Sequence, residues 1–128
     1  MTDADAAVTA LARHQVDALG AEFAPVFDRF RTEHGLDLAE ACDAIAVAAG
    51  RRFLAGELAY DVADALLNAV WVRITDAMVD EGDGFRFPEL AYAVYDAFDA
   101  GEYDHGDGLD PVAAHTVPLL REALAEGG

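Results

Sequence analysis

Apolar residues recur along the chain at intervals of three and four and never alternate at period two over a useful length. That pattern predicts helices and no sheet. A first helix is expected from about Asp5 to Leu19, with Val8, Leu11, Ala12, Val16 and Leu19 on one face and Gly20 at its end. A second is expected to open near Pro25, a favoured first-turn residue, to carry Phe23, Val26, Phe27 and Phe30, and to stop at Gly35. "DLAE" at 37–40 has the spacing of a capping box and opens a third helix through Ala41, Ile45, Ala48 and Ala49. After a turn at Gly56, Val62, Ala63, Leu66, Leu67, Val70, Trp71, Ile74, Ala77 and Met78 form the broadest apolar stripe in the chain. "DEGDG" ends that helix at 80–84, and "PELAYAVYDAFDA" from Pro88 forms a fifth helix closed by Gly101. An acidic loop then leads to Asp110 and Pro111, a cap and a first-turn proline. Pro118 divides the C-terminal stretch into a short turn and a last helix from about Val117 to Ala125.

These elements describe an all-α fold: a single-domain bundle of about six helices spanning residues 1–128. The length suits one core, and 54% apolar residues can fill it, although much of that share is small alanine. The opening "MTDADAAV" is acidic where a signal peptide would be basic, and charges interrupt the best apolar segment, 58–79. Cys42 is the single cysteine, so no internal disulfide can form. A cytoplasmic protein without a membrane span is the expectation.

Charge changes the picture more than composition does. The formal net charge is −17, with 25 acids, eight arginines and no lysine. Such a field repels nucleic acid and anionic membranes and attracts basic partners. It is also uneven: residues 1–75 hold 12 acids and 6 arginines, whereas residues 76–110 hold 11 acids and only Arg86. A uniform compositional bias would not focus the charge in this way.

Catalytic and metal motifs are absent from the sequence. His14, His34, His105 and His115 are scattered, with no pair at helical zinc spacing, and Cys42 has no local companion. There is no serine and no glycine-rich phosphate loop. Clustered acids in glycine-rich segments are expected to be hydrated and to ionise ordinarily. Calcium loops starting at Asp80 or Asp104 would place glycines at the third and fifth positions, where oxygen ligands are needed. The expectation is a protein with no catalytic residue, no metal and no cofactor.

What remains is a tyrosine–carboxylate surface. On a helical wheel Leu90, Ala91, Val94, Tyr95 and Phe98 gather on a core side of the fifth helix, and Tyr92, Asp96 and Asp99 on another. Tyr103 joins the second group if the last turn runs on past Gly101. Glu102, Asp104 and Asp107 continue the acidic edge. Tyrosine offers a rigid contact that stacks on arginine, and carboxylates accept its guanidinium at two points. Tyr92, Asp96, Asp99, Glu102, Tyr103, Asp104 and Asp107 are therefore the candidate partner-binding residues, and the expected partner is a basic protein.

The layout of Phe53, Gly56 to Leu58, Ala63 to Asn68, Ala97 to Tyr103 with His105, Asp110–Pro111 and Pro118 to Leu120 resembles small acidic immunity proteins. These neutralise bacterial toxins of the colicin and contact-dependent inhibition type. The resemblance covers about residues 53–124 and implies a helical protein that grips a cationic toxin domain with a tyrosine–carboxylate helix, which Tyr92, Tyr95, Asp96 and Asp99 loosely echo. This chain is longer than the colicin nuclease group and has about six helices where those have four. The rival expectations are a nucleic-acid mimic or acidic adaptor, and a helical protein made acidic by a salt-rich cytoplasm.

Overall fold

The computed structural model describes residues 3–13 and 16–127. Among these residues six α-helices run in order: α1 Asp3–Ala12, α2 Val16–His34, α3 Leu38–Leu54, α4 Tyr60–Glu81, α5 Glu89–Asp99 and α6 Val117–Gly127. No strand occurs among the described residues. The all-α bundle read from the sequence is the fold.

The middle of the bundle is α3, which packs against α1, α4, α5 and α6. Its buried residues are nearly all small: Ala39, Ala41, Cys42, Ala46, Ala48, Ala49 and Gly50, with Ile45 the one large side chain. Small side chains let helix axes approach closely, which is how one helix can be crowded from several sides. At Gly50 even a methyl group would press on Leu120, with a carbon 3.0 Å from Leu120 Cδ1. The volume missing from α3 is supplied by its neighbours, among them Phe23 and Phe27 of α2, Leu66 and Ile74 of α4, Phe98 of α5 and Leu120 of α6, all fully buried. Cys42 belongs to this packing, and burial pushes its thiol up to about 12, which leaves it un-ionised and a poor nucleophile.

Two expected boundaries are corrected. The first helix does not reach Leu19: α1 ends at Ala12, and Val16 and Leu19 belong to α2, while residues 14 and 15 lie outside the described set. Nor does Pro25 open the second helix; it lies nine residues inside it. Leu19, Phe23, Phe27 and Phe30 repeat at helical spacing and are all buried, so one continuous helix covers one continuous core face. Tertiary burial outweighs the local cost of Gly20 and Pro25. Gly20 and Pro25 are both exposed, and the carbonyl left without a donor by the proline can turn to water.

The later signals behave as read. Asp37 Oδ1 accepts the Glu40 N–H at 2.7 Å and Glu40 Oε1 accepts the Asp37 N–H at 3.2 Å, a complete capping box. Asp110 Oδ2 accepts the Ala113 N–H at 3.2 Å. Because Pro118 has no N–H and its ring crowds the carbonyl four residues back, the backbone widens at Val112–Thr116 into one π-helical turn before α6 begins.

Helix α5 lacks a side-chain cap of its own, since Pro88 occupies the N-cap position. Its cap comes from another helix: Asp43 Oδ1 on α3 accepts the Ala91 N–H at 2.8 Å. The Asp43 carboxyl is raised above its usual range by burial, against the pull of this bond and of Arg86. Replacing Asp43 by Ala should lower unfolding free energy in urea by about 1 kcal/mol, and Asp43→Asn, which keeps an acceptor oxygen, should recover most of it.

Candidate binding face

Helices α4 and α5 lie side by side and antiparallel, and their shared outer seam carries the distinctive chemistry. Tyr95 stacks on Trp71 with ring centroids 4.9 Å apart and planes 13° from parallel. Tyr92 touches Trp71 at 5.5 Å and Phe87 at 5.6 Å. The aromatic row therefore runs from the α4–α5 connection into the middle of the seam. The helical wheel puts Tyr95 with the core stripe; in the fold it is half-buried, against Trp71, whereas Ala97 is fully buried with Ala91, Val94 and Phe98.

Beyond the aromatic row the seam becomes acidic. Asp64 of α4 hydrogen-bonds Glu102 of the 3-10 turn after α5, and the charge of Asp99 on α5 acts on it from nearby. Burial raises the Asp64 carboxyl most, and its hydrogen bond to Glu102 and the charges of Glu102 and Asp99 add to that, bringing it to about 7. The Asn68 amide, 3.5 Å from Asp64 Oδ2, works the other way and does not offset them. Near neutrality the Asp64 carboxyl is thus only partly ionised. The expectation that the clustered acids ionise ordinarily does not reach Asp64, which sits within a helix and not in a glycine-rich segment; in the glycine-rich loop it fails at Asp107, whose carboxyl is held low. The same carboxylates, together with burial, raise the Tyr95 phenol, and burial first and then these charges raise that of Tyr60. Tyr60 also donates to the Phe98 carbonyl at 2.6 Å.

Gly101 holds the acidic end of the seam together. Its place in the sequence suggests a helix stop, yet its backbone is not left-handed. Its role is close approach: a Cβ there would collide with the Thr116 hydroxyl and sit 2.8 Å from the Tyr60 hydroxyl. The chain passes between those side chains only as glycine, and this brings Glu102 round to Asp64.

The seven residues expected from the sequence divide into two groups. Tyr92, Asp96 and Asp99 lie on the outer side of α5, with Tyr92 41% exposed, and Glu102 reaches the seam. Tyr103 does not join them, because the chain becomes extended there, at φ −141° and ψ 158°. It packs instead at a tilt against His105, with ring centroids 4.3 Å apart, and His105 stacks on His115 at 3.7 Å. His105 Nε2–H donates to the Ala100 carbonyl at 2.7 Å, and His115 Nε2 lies 2.8 Å from Asp107 Oδ2. The acids of this loop also serve its own backbone: Asp104 Oδ1 accepts the Gly106 N–H and Asp107 Oδ1 the Leu109 N–H, at 2.8 and 3.0 Å. The Leu109 bond and His115 hold the Asp107 carboxyl below its usual range.

Asp64, Asn68 and Trp71 belong to the site without standing out in the sequence. Their spacing of four and three puts them along one line of α4, but the apolar stripe of that helix draws the reading inward. No group of three or more His, Cys, Asp or Glu among the described residues forms a metal site, and no described helix is long and apolar enough to cross a membrane. No family model, curated protein or solved structure matches the chain.

The arrangement favours a cation with a flat face. Two carboxylates can accept one guanidinium while a ring of the seam lies against it. It also makes stability pH-dependent. The folded Asp64 carboxyl lies above its value of 3.8 in an unfolded chain, so stability is lost as pH rises from about 4 to about 7. Asp64→Asn should therefore be more stable than the parent at pH 8 by on the order of 1 kcal/mol, water at this half-exposed site screening most of the repulsion. In thermal denaturation that gain should shrink steadily as pH falls towards 4. A gain independent of pH would contradict the raised Asp64 carboxyl.

Proposed function

We propose that the protein is an immunity-type inhibitor that acts in the cytoplasm by binding a basic toxin domain, a nuclease or another nucleic-acid-modifying enzyme. It masks that enzyme's substrate groove and performs no catalysis itself. The observation that carries this reading is the meeting of Asp64, Asp99 and Glu102 beside the Trp71–Tyr95 stack. The three carboxylates repel one another, and an arginine arriving from a partner removes that repulsion as it gains a planar contact surface. Binding is therefore favoured at the centre by relief of a local conflict as well as by new contacts.

The concentration of acids in residues 76–110 supports the second half of the mechanism. A one-signed field attracts a basic domain over a distance of about one Debye length and raises the rate of productive encounter. Tyr92, Asp96, Asp99 and Glu102 form the leading edge with Asp64, Trp71 and Tyr95, and Tyr103, Asp104 and Asp107 extend the field along the loop. The aromatic share of the face favours a protein grip over nucleic-acid mimicry, which would spread carboxylates regularly with few rings among them.

Affinity capture from the source cells, with the captured protein identified by mass spectrometry, should recover a basic toxin domain. With that partner, the double variant Asp96→Arg and Asp99→Arg should slow association by about tenfold at low salt and flatten its salt dependence. An unchanged rate would show that the partner docks elsewhere.

A further inference from the structure

The outer side of α4 carries apolar side chains that the fold leaves uncovered. Val79 is 84% exposed, Val72 55% and Met78 46%. The apolar period assigns Met78 to the core stripe, yet only Ala63, Leu66, Leu67, Val70, Ile74 and Ala77 of α4 are buried. Val72 and Val79 are seven residues apart, so they lie on one line of the helix, and Met78 lies on the line of Trp71. Trp71 in turn touches Tyr92 across the seam. The strip from Tyr92 through Trp71 to Val79 covers about two turns of α4, roughly 12 Å.

Its surroundings are negative. Asp76, Asp80 and Glu81 are exposed on α4, and Glu89 and Asp96 on α5. The last turn of α4 holds no basic residue, so its unpaired carbonyls add to the negative potential there. Arg73, the arginine of α4, is bound to Asp28 of α2 at 2.6 Å.

We propose that this strip seats an amphipathic basic helix of the partner, its aliphatic side chains resting on Trp71, Val72, Met78 and Val79 and its flanking arginines or lysines reaching Asp76, Asp80 and Asp96. An apolar strip ringed by acids matches a helix whose apolar face is ringed by bases. A second copy of this chain is the poorer occupant, since each copy brings a net charge of −17. An anionic membrane is disfavoured by the same repulsion. The inference rests on the proposed cationic partner and adds that part of the partner must be helical and apolar on one side.

The test uses the full chain and two synthetic peptides of about 18 residues, five turns of helix. They share one composition and one positive charge. One places leucines at helical spacing and the other is scrambled. Emission of Trp71, the chain's single tryptophan, reports binding. The patterned peptide should bind about tenfold more tightly than the scrambled one and shift the Trp71 emission. Val72→Ser with Val79→Ser, two outward positions, should reduce that preference to less than about twofold with no change in melting temperature. Equal binding of both peptides by the parent chain would overturn the strip and leave the cationic reading standing. Failure of both peptides to bind would overturn the two together. A dimer of the chain alone that the serine variant dissolves would assign the strip to self-association and overturn the proposal.

Discussion

Stacking of Tyr95 on Trp71 fixes α4 and α5 against each other, and the chemistry of the outer face depends on that contact. Helix α5 is held from behind by Val94 and Phe98 in the core and at its start by the Asp43 carboxylate of α3. With its depth and axial position set in this way, α5 presents Tyr95 to Trp71 and Asp99 to Asp64. At the far end, glycine at position 101 lets the chain pass between Tyr60 and Thr116, so Glu102 completes the acidic group. The acidic group is therefore placed by apolar packing and one cap, against its own repulsion.

The acids of this chain do several kinds of work. Asp37, Asp43 and Asp110 cap helices, and Asp104 and Asp107 bind backbone N–H groups of their own loop. Asp28 and Asp37 also pair with Arg73 and Arg86. Among the acids outside these roles, one set runs along α4, α5 and the turn after α5: Asp76, Asp80, Glu81 and Asp96 on the surface and Asp64, Asp99 and Glu102 along the seam. General solvation in a salt-rich cytoplasm would not require the seam acids to be pressed together beside stacked rings.

The helices with strong local signals were legible in the sequence because local and tertiary forces agree there. Asp37 and Glu40 cap what the apolar period then extends, and Pro118 disturbs the helix where a missing N–H must. The run of α2 through Gly20 and Pro25 was not legible, because glycine and proline pull one way and the buried row of Leu19, Phe23, Phe27 and Phe30 pulls harder the other. On α5 the wheel found the outer face of Tyr92, Asp96 and Asp99. It lost Tyr103, since the direction of the chain after a 3-10 turn is decided by the His105 and His115 rings it meets. Asp64 and Trp71 escape a local reading for a related reason: their significance comes from α5, some thirty residues away in the chain, and periodicity within α4 carries no information about that neighbour.

Mapping amide chemical-shift changes in the labelled protein on addition of its captured basic partner tests the central claim most directly. The account predicts that the large changes fall on α4 and α5 and on the turn at 100–102, centred on Trp71, Tyr95 and Asp99, with α1 and α2 little affected. Changes concentrated on α1, α2 or α6 that leave the seam undisturbed would contradict it.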